Sequence, residues 1–285
     1  MDRKLASVIV FLFVIGSSIV LAQDPEHSRV SMVEVPGRRV ELKTLKGAVL
    51  FAGPKIDGRS KVPLIIHFHG APWLVEYHVA NRVPNDALIT VQLGAGSSVY
   101  NRPFDKTDTF QAMIDEARQV LGLDHAWSSI TLTGWSAGYG AVRAIIRNEK
   151  YFELVDNILL LDGIHASYLP EGKTIADGGA IKEEDIGPFV KFARRAAEGK
   201  KSFVLTHSQI FPGSYASTTE CVQYVIDSVG IRRNRDSRDT PTGMHQLSSV
   251  DKKHLHVRGY AGNTAADHID HIHSMGEWLA LMKIK

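Results

Sequence analysis

A single cysteine, Cys221, occurs in 285 residues, so no disulfide can form within the chain and its stability has to come from an apolar core. An excess of one charge is lacking too. Lys and Arg number 33 against 31 Asp and Glu, a formal net charge of +2, which gives no electrostatic case for a nucleic-acid partner. The basic run Arg232-Arg233-Asn234-Arg235 is answered by Asp236 and Asp239 and reads as a solvated loop, not a phosphate-binding patch. Internal repeats and low-complexity tracts are absent as well. What the chain does have, at its start, is Met1-Asp2-Arg3-Lys4, an apolar run from Leu5 to Ile15, then Gly16-Ser17-Ser18 and Val20-Leu21-Ala22. Basic residues, an apolar stretch and a small-residue ending predict a signal peptide over residues 1–22, cleaved after Ala22. An uncleaved anchor is the other reading, since the run extended to Leu21 nearly reaches spanning length. Cleavage leaves residues 23–285 as one large α/β domain with a net charge of +1, secreted or periplasmic and with no stable membrane insertion.

Apolar stretches with β character lie at 29–35, 40–51, 62–69, 87–93, 128–133, 157–161, 203–206 and 254–260. Eight strands are therefore expected. From the third onward they alternate with helical periodicity at 109–121, 137–147, 186–197 and 218–229. Such alternation predicts a mostly parallel sheet with helices on both faces, because parallel neighbours need crossover connections. Ile158-Leu159-Leu160-Leu161, apolar throughout, suits a strand buried on both sides. Two connections are long, 163–184 and 230–253; segments of that length are often lids or substrate-binding edges, and neither is long enough for a cap domain.

Ile130-Thr131-Leu132-Thr133 leads into Gly134-Trp135-Ser136-Ala137-Gly138-Tyr139-Gly140, and Val142, Ala144, Ile145 and Ile146 then recur at roughly helical spacing. The pattern is a strand, a sharp turn and a helix with a serine at the bend, the G-x-S-x-G nucleophile elbow. A helix N-terminus aimed at the serine would stabilise an anion forming there. The plainer reading is a glycine-rich turn with an incidental surface serine; the strand–turn–helix context favours a nucleophile.

With this elbow after the fifth strand, the chain resembles the α/β-hydrolase superfamily, as a secreted serine esterase-like member, over nearly all of residues 23–285. The resemblance implies the chain order nucleophile, acid, histidine, with no cofactor and no metal. His69-Gly70-Ala71-Pro72-Trp73 is similar to the family's H-G loop, which builds half of the oxyanion hole. Ala137 N–H is implied as one donor and Ala71 N–H as the other; Pro72 has none to give, and Trp73 is a second choice. His67 and His69 are expected to brace this loop. The general base, a role suited to histidine with its ordinary pKa near ~6.5, should follow the last strand. His268 is nearest its end, His271 one helical turn later is the alternative, and His273 points elsewhere. The acid departs from the family's usual place, because 203–210 contains no carboxylate. Asp162, after four apolar residues and before Gly163, would sit at the carboxyl edge of the sheet, where the sites of open α/β sheets lie. Asp-Gly is also a common turn pair, and Glu220, Asp227 and Asp267 are reserves. His207 and Ser208 are expected to line the site or orient Asp162. His69, Trp73, Tyr100, Trp135 and Tyr139 are candidate walls for a substrate.

The expectation is a serine hydrolase that cleaves carboxylic esters of small-molecule or carbohydrate-linked kind through a Ser136–His268–Asp162 triad. A serine peptidase of the same fold is the near alternative, because G-W-S-x-G occurs there too. A zinc hydrolase could draw on Asp267, His268, His271 and His273; His67-Phe68-His69 opens like H-x-H-x-D-H, but Ala71 and Pro72 stand where Asp and His belong. A non-catalytic binding protein on the same scaffold is the last reading.

Overall fold

The computed structural model describes residues 28–56, 61–105 and 108–282; the expected signal peptide, residues 1–22, lies outside the described residues. In chain order the strands are β1 (Arg38–Glu41), β2 (Ala48–Ala52), β3 (Leu64–Phe68), β4 (Ala87–Val91), β5 (Ile130–Trp135), β6 (Asn157–Leu161), β7 (Tyr168–Leu169), β8 (Ala180–Ile181), β9 (Ser202–His207), β10 (Asn234–Asp239), β11 (His245–Lys252) and β12 (Leu255–Tyr260). Among the described residues ten of them form one sheet, ordered β1-β2-β4-β3-β5-β6-β9-β12-β11-β10, while β7 and β8 pair separately. The strands from β4 across to β12 run parallel, and antiparallel strands extend both margins.

The helices are α1 (Pro72–Arg82), α2 (Ser97–Asn101), α3 (Thr109–Val120), α4 (Tyr139–Arg147), α5 (Glu149–Leu154), α6 (Glu183–Ala197), α7 (Thr218–Val229), α8 (Ala265–His273) and α9 (Met275–Leu279). Side-chain alternation along the strands divides the core into two layers. Leu64, Ile66 and Phe68 of β3 belong to one apolar cluster with Met113, Ile145, Phe189 and Val222 from α3, α4, α6 and α7. Ile65, between them, packs with Leu74, Ile272 and Trp278 from α1, α8 and α9. The sheet is thus covered on both faces, which is why β3, β4 and β6 are apolar or uncharged at every position and wholly buried.

Four expectations are corrected. The main sheet has ten strands, not eight. Residues 29–35 form no strand; Arg29 Nε donates to Asp270 at 2.9 Å and Val30 N–H to His273 Nδ1 at 3.1 Å, tying the start of this stretch to α8, while Met32 and Val33 are exposed. The segment 40–51 is broken at Gly47, φ 87°, into the β1–β2 hairpin. The connection 230–253, expected as a loop, supplies β10 and β11; the charged residues of β10 suit the outer edge of a sheet. Arg233 in that segment is half-buried and turns inward, donating to Ser248 Oγ at 3.0 Å and contacting His207 Nε2.

Candidate active site

The bend after β5 holds Ser136 at φ 49°. Non-glycine residues in this left-handed region are strained by about 1–3 kcal/mol each, and His69 (φ 68°) and Asp162 (φ 42°), at the ends of β3 and β6, share the strain. Close backbone approaches hold the bend. A side chain on Gly138 would overlap the carbonyl oxygen of Phe68 at the end of β3, and one on Gly163 would overlap Ser136 O and stand 2.7 Å from Ser136 N. Gly138 therefore allows the close approach of the bend to β3, while Gly163 lets the end of β6 lie directly against the serine.

That contact brings Asp162 beside the bend. Its carboxylate is 2 % exposed and accepts four hydrogen bonds: from Ser208 N–H (2.8 Å) and Thr218 Oγ1 (2.8 Å) on Oδ1, and from Ser208 Oγ (2.7 Å) and His268 Nδ1 (2.7 Å) on Oδ2. Burial on its own would raise the carboxyl pKa; the neighbouring imidazoles of His271 and His268 and the Ser208 N–H outweigh it and hold the group well below the usual carboxylate range. Asp162 is therefore an anion, and an anion on Nδ1 fixes the proton of His268 there. His268 lies in the first turns of α8, whose start is set by a Thr264–Asp267 capping box. Its ring stacks on Trp135, with centroids 4.8 Å apart, and the Trp135 indole N–H donates to His268 O at 3.0 Å. Since Trp135 precedes Ser136, the serine, the imidazole and the carboxylate converge on one corner of the sheet's carboxyl edge.

The loop after β3 is braced as its sequence suggests. His67 is buried, its Nε2–H donates to His69 O (2.6 Å) and its Nδ1 accepts from Thr133 Oγ1 (2.8 Å); burial pushes its pKa down to about 3, so it stays neutral. His69 stacks on the other side of Trp135 at 5.2 Å, nearly parallel, and its Nδ1 meets Tyr100 OH at 2.9 Å. Gly70 N–H donates to Gln92 Oε1. Ala71 follows as the N-cap of α1, with Pro72 at the first helical position. The Ala137 N–H leaves the short 3₁₀ turn Ser136–Gly138 that opens α4.

Beside Ser136 and Ala137 opens a cavity of about 500 Å³, walled by Ser97, Tyr139, Arg143, His165, Asp185 and Tyr215 among others. Of the expected substrate walls Tyr139 is among these. Trp135 is stacked between His69 and His268, Tyr100 is wholly buried with its OH on His69, Leu93 N–H and Gln92, and Trp73 stands edge-on to His273. His207 is buried behind Ser208, on Thr219 and Arg233; Ser208, by contrast, holds Asp162. His271, the alternative base, is wholly buried, with Nδ1 on Thr206 Oγ1 at 2.7 Å and its ring against Tyr260 and Trp278. Among the reserve acids, Glu220 and Asp267 are engaged in capping boxes, and Asp227 is exposed at the end of α7. Burial raises the Cys221 thiol to about 12, which removes it as a rival nucleophile. Among the described residues no three His, Cys, Asp or Glu side chains are grouped to hold a metal ion.

Sequence reasoning did not reach Arg143, His165, Asp185 or Thr218. His165 Nδ1–H donates to a carbonyl, Ala216 O, at 2.9 Å, and burial lowers its pKa, so it is a neutral wall without the carboxylate partner that His268 has. Arg143 alone carried a signal, as a cation set between Val142 and Ala144 in an apolar helix.

No protein-family model matches the sequence, and no curated protein matches it. Solved structures do. An acylaminoacyl peptidase of Pyrococcus horikoshii aligns with a TM-score of 0.50 at 12% identity, over 87% of this chain and 41% of that one. Esterase 2 of Thermogutta terrifontis aligns at 0.48 and 10% identity, over 90% and 98%, and a fungal esterase of Rhizomucor miehei at 0.47 and 10%, over 90% and 85%. The chain spans about two fifths of the length of the acylaminoacyl peptidases it aligns with. The likeness to the first of these, with the sheet order and the elbow, gives this chain the α/β-hydrolase fold.

Proposed function

We propose that the protein is a serine hydrolase that cleaves carboxylic esters through an acyl-enzyme on Ser136. The observation that carries the reading is the buried Asp162 carboxylate, 2.7 Å from His268 Nδ1, next to a serine in strained geometry at a strand-to-helix bend. A carboxylate on Nδ1 leaves Nε2 as the basic nitrogen. In the reaction Ser136 Oγ bonds to the ester carbonyl carbon as its proton passes to His268 Nε2, and the carbonyl electron pair moves onto oxygen, where the N–H groups of Ala137 and Ala71 stabilise it. The tetrahedral intermediate expels the alcohol, protonated by His268; water then opens the acyl-enzyme by the same proton traffic. These steps use no metal and no cofactor.

The substrates in this reading are small-molecule or carbohydrate-linked esters, and residues 1–22 export the chain to a secreted or periplasmic location. A peptidase would use the same groups, and the acylaminoacyl peptidase likeness favours keeping it as the second reading. The test is turnover of p-nitrophenyl acetate against an acyl-peptide anilide, with Ser136→Ala as the control. Ester turnover that falls by about 10³-fold or more in Ser136→Ala, on a protein that still folds, is expected; anilide cleavage at a comparable rate would shift the reading to a peptidase, and full activity in Ser136→Ala would end both.

A further inference from the structure

Arg143 lies seven residues after Ser136 and lines the same cavity. Helix side chains lean toward the N-terminus, and the guanidinium carbon sits 5.2 Å from the Tyr139 ring centroid, one turn nearer the serine. This cation is 14% exposed and poorly satisfied. A guanidinium has five N–H donors; among the described residues Arg143 makes one hydrogen bond, to His165 O at 3.3 Å, and its Nε is buried without a partner. Asp185 Oδ1 is 3.5 Å away, yet the same oxygen lies 3.6 Å from Arg147, and Oδ2 accepts Ser167 N–H at 3.0 Å. Arg143 thus shares its one neighbouring carboxylate with Arg147, which also has Asp105 near it. The other titratable wall groups add no charge to offset them, since burial keeps His165 neutral and raises the Tyr139 phenol.

A half-buried cation with spare donors weakens the free protein; a carboxylate, which accepts two parallel N–H bonds from a guanidinium, is the ligand that satisfies it. We infer that the cavity binds a carboxylate carried by the substrate itself, so that the preferred esters are half-esters of short dicarboxylic acids or esters of short hydroxy acids. Ser97 Oγ, which accepts from Tyr139 OH at 3.1 Å, and the partly exposed Tyr215 ring would flank the chain between the ester and the carboxylate. The inference deepens the esterase reading and rests on it for the word substrate, while the binding of the anion stands on the cavity alone.

The test pairs charged and neutral esters of equal length: monomethyl glutarate with methyl pentanoate for a carboxylate on the acyl side, and 3-acetoxypropionate with propyl acetate for one on the alcohol side. Hydrolysis is followed by pH-stat. The charged member of one pair is expected to exceed its neutral partner in kcat/KM by about 10-fold or more, Arg143→Met should abolish that ratio chiefly through KM, and Arg143→Lys should keep part of it. Neutral esters turned over as well as charged ones would overturn the inference and leave the esterase standing. If Arg143→Met does not fold, competition on the wild type decides: glutarate inhibiting where glutaramide does not supports the inference, and equal inhibition or none overturns it. If no ester is hydrolysed, the esterase reading fails separately, and calorimetry of glutarate with Ser136→Ala protein still decides the cavity, with absence of binding counting against it.

Discussion

Asp162→Asn removes one charge with almost no change of volume, and the structure says where the amide must point. Oδ1 accepts the Ser208 backbone N–H, a donor that cannot reverse, so the retained oxygen occupies this position and the new NH₂ takes the place of Oδ2. There it faces His268 Nδ1 and Ser208 Oγ. The serine hydroxyl can rotate to accept; the imidazole can accept only by moving its proton to Nε2, the nitrogen that receives the Ser136 proton in the proposed mechanism. Turnover should therefore fall by up to about 10⁴-fold, the cost of the wrong tautomer. Rearranging these bonds costs about 1–3 kcal/mol, or roughly 2–12 °C in Tm for a chain of this size, so the variant remains folded at 25 °C. The wild-type carboxyl is held below its ordinary range; its contribution to stability is present above the unfolded value near ~3.9 and is lost as pH falls below it. The Asn variant lacks that contribution, and its Tm should decline less steeply on acidification. The assays are kcat on a short-chain ester at neutral pH and thermal melts from about pH 6 to pH 3. Asp267→Asn is the control, because Asp267 Oδ2 caps α8 on Thr264 and its change should weaken the cap by about 1 kcal/mol with little effect on turnover. Near-wild-type turnover in Asp162→Asn, with a crippled Asp267→Asn, would refute the reasoning.

Two further outcomes are expected. Gly163→Ala should fold yet lose about 100-fold in turnover, because its methyl overlaps Ser136 O and displaces Ser136, the proposed nucleophile; kinetics and a melt on the same preparation check this, and unchanged kcat would contradict it. Protein recovered from an exporting host should begin at Gln23, read by intact mass, whereas retention of residues 1–22 in a membrane fraction would favour the anchor reading.

The elbow was legible because its pattern is local: a β-type run, small residues around Ser136 and a helical period follow one another in the chain. Asp162 was legible by its place after four apolar residues, and His268 by its place after the last strand. The groups that hold Asp162 come from 46 and 56 residues away, Ser208 and Thr218, and only the packing of β6, β9 and α7 makes them neighbours; no spacing rule points to Thr218. Arg143 and Asp185 meet in the same way, across α4 and α6. The hairpin β10–β11 escaped notice because its polar residues lack the apolar alternation of a half-buried strand, and 29–35 misled for the opposite reason, since its apolar residues have no strand partner and Met32 and Val33 face solvent. The stack of His69, Trp135 and His268 was not legible either, because it joins three segments distant in the chain with Trp135 in the middle.

The most direct test of the account is labelling of the folded protein with a fluorophosphonate, which reacts with an activated serine and needs no knowledge of the substrate. Peptide mapping should place a single phosphonyl adduct on Ser136, with labelling abolished in Ser136→Ala and strongly slowed in His268→Ala. An adduct on another residue, or a Ser136 that stays unlabelled in folded protein, would contradict the central claim that this bend holds the nucleophile.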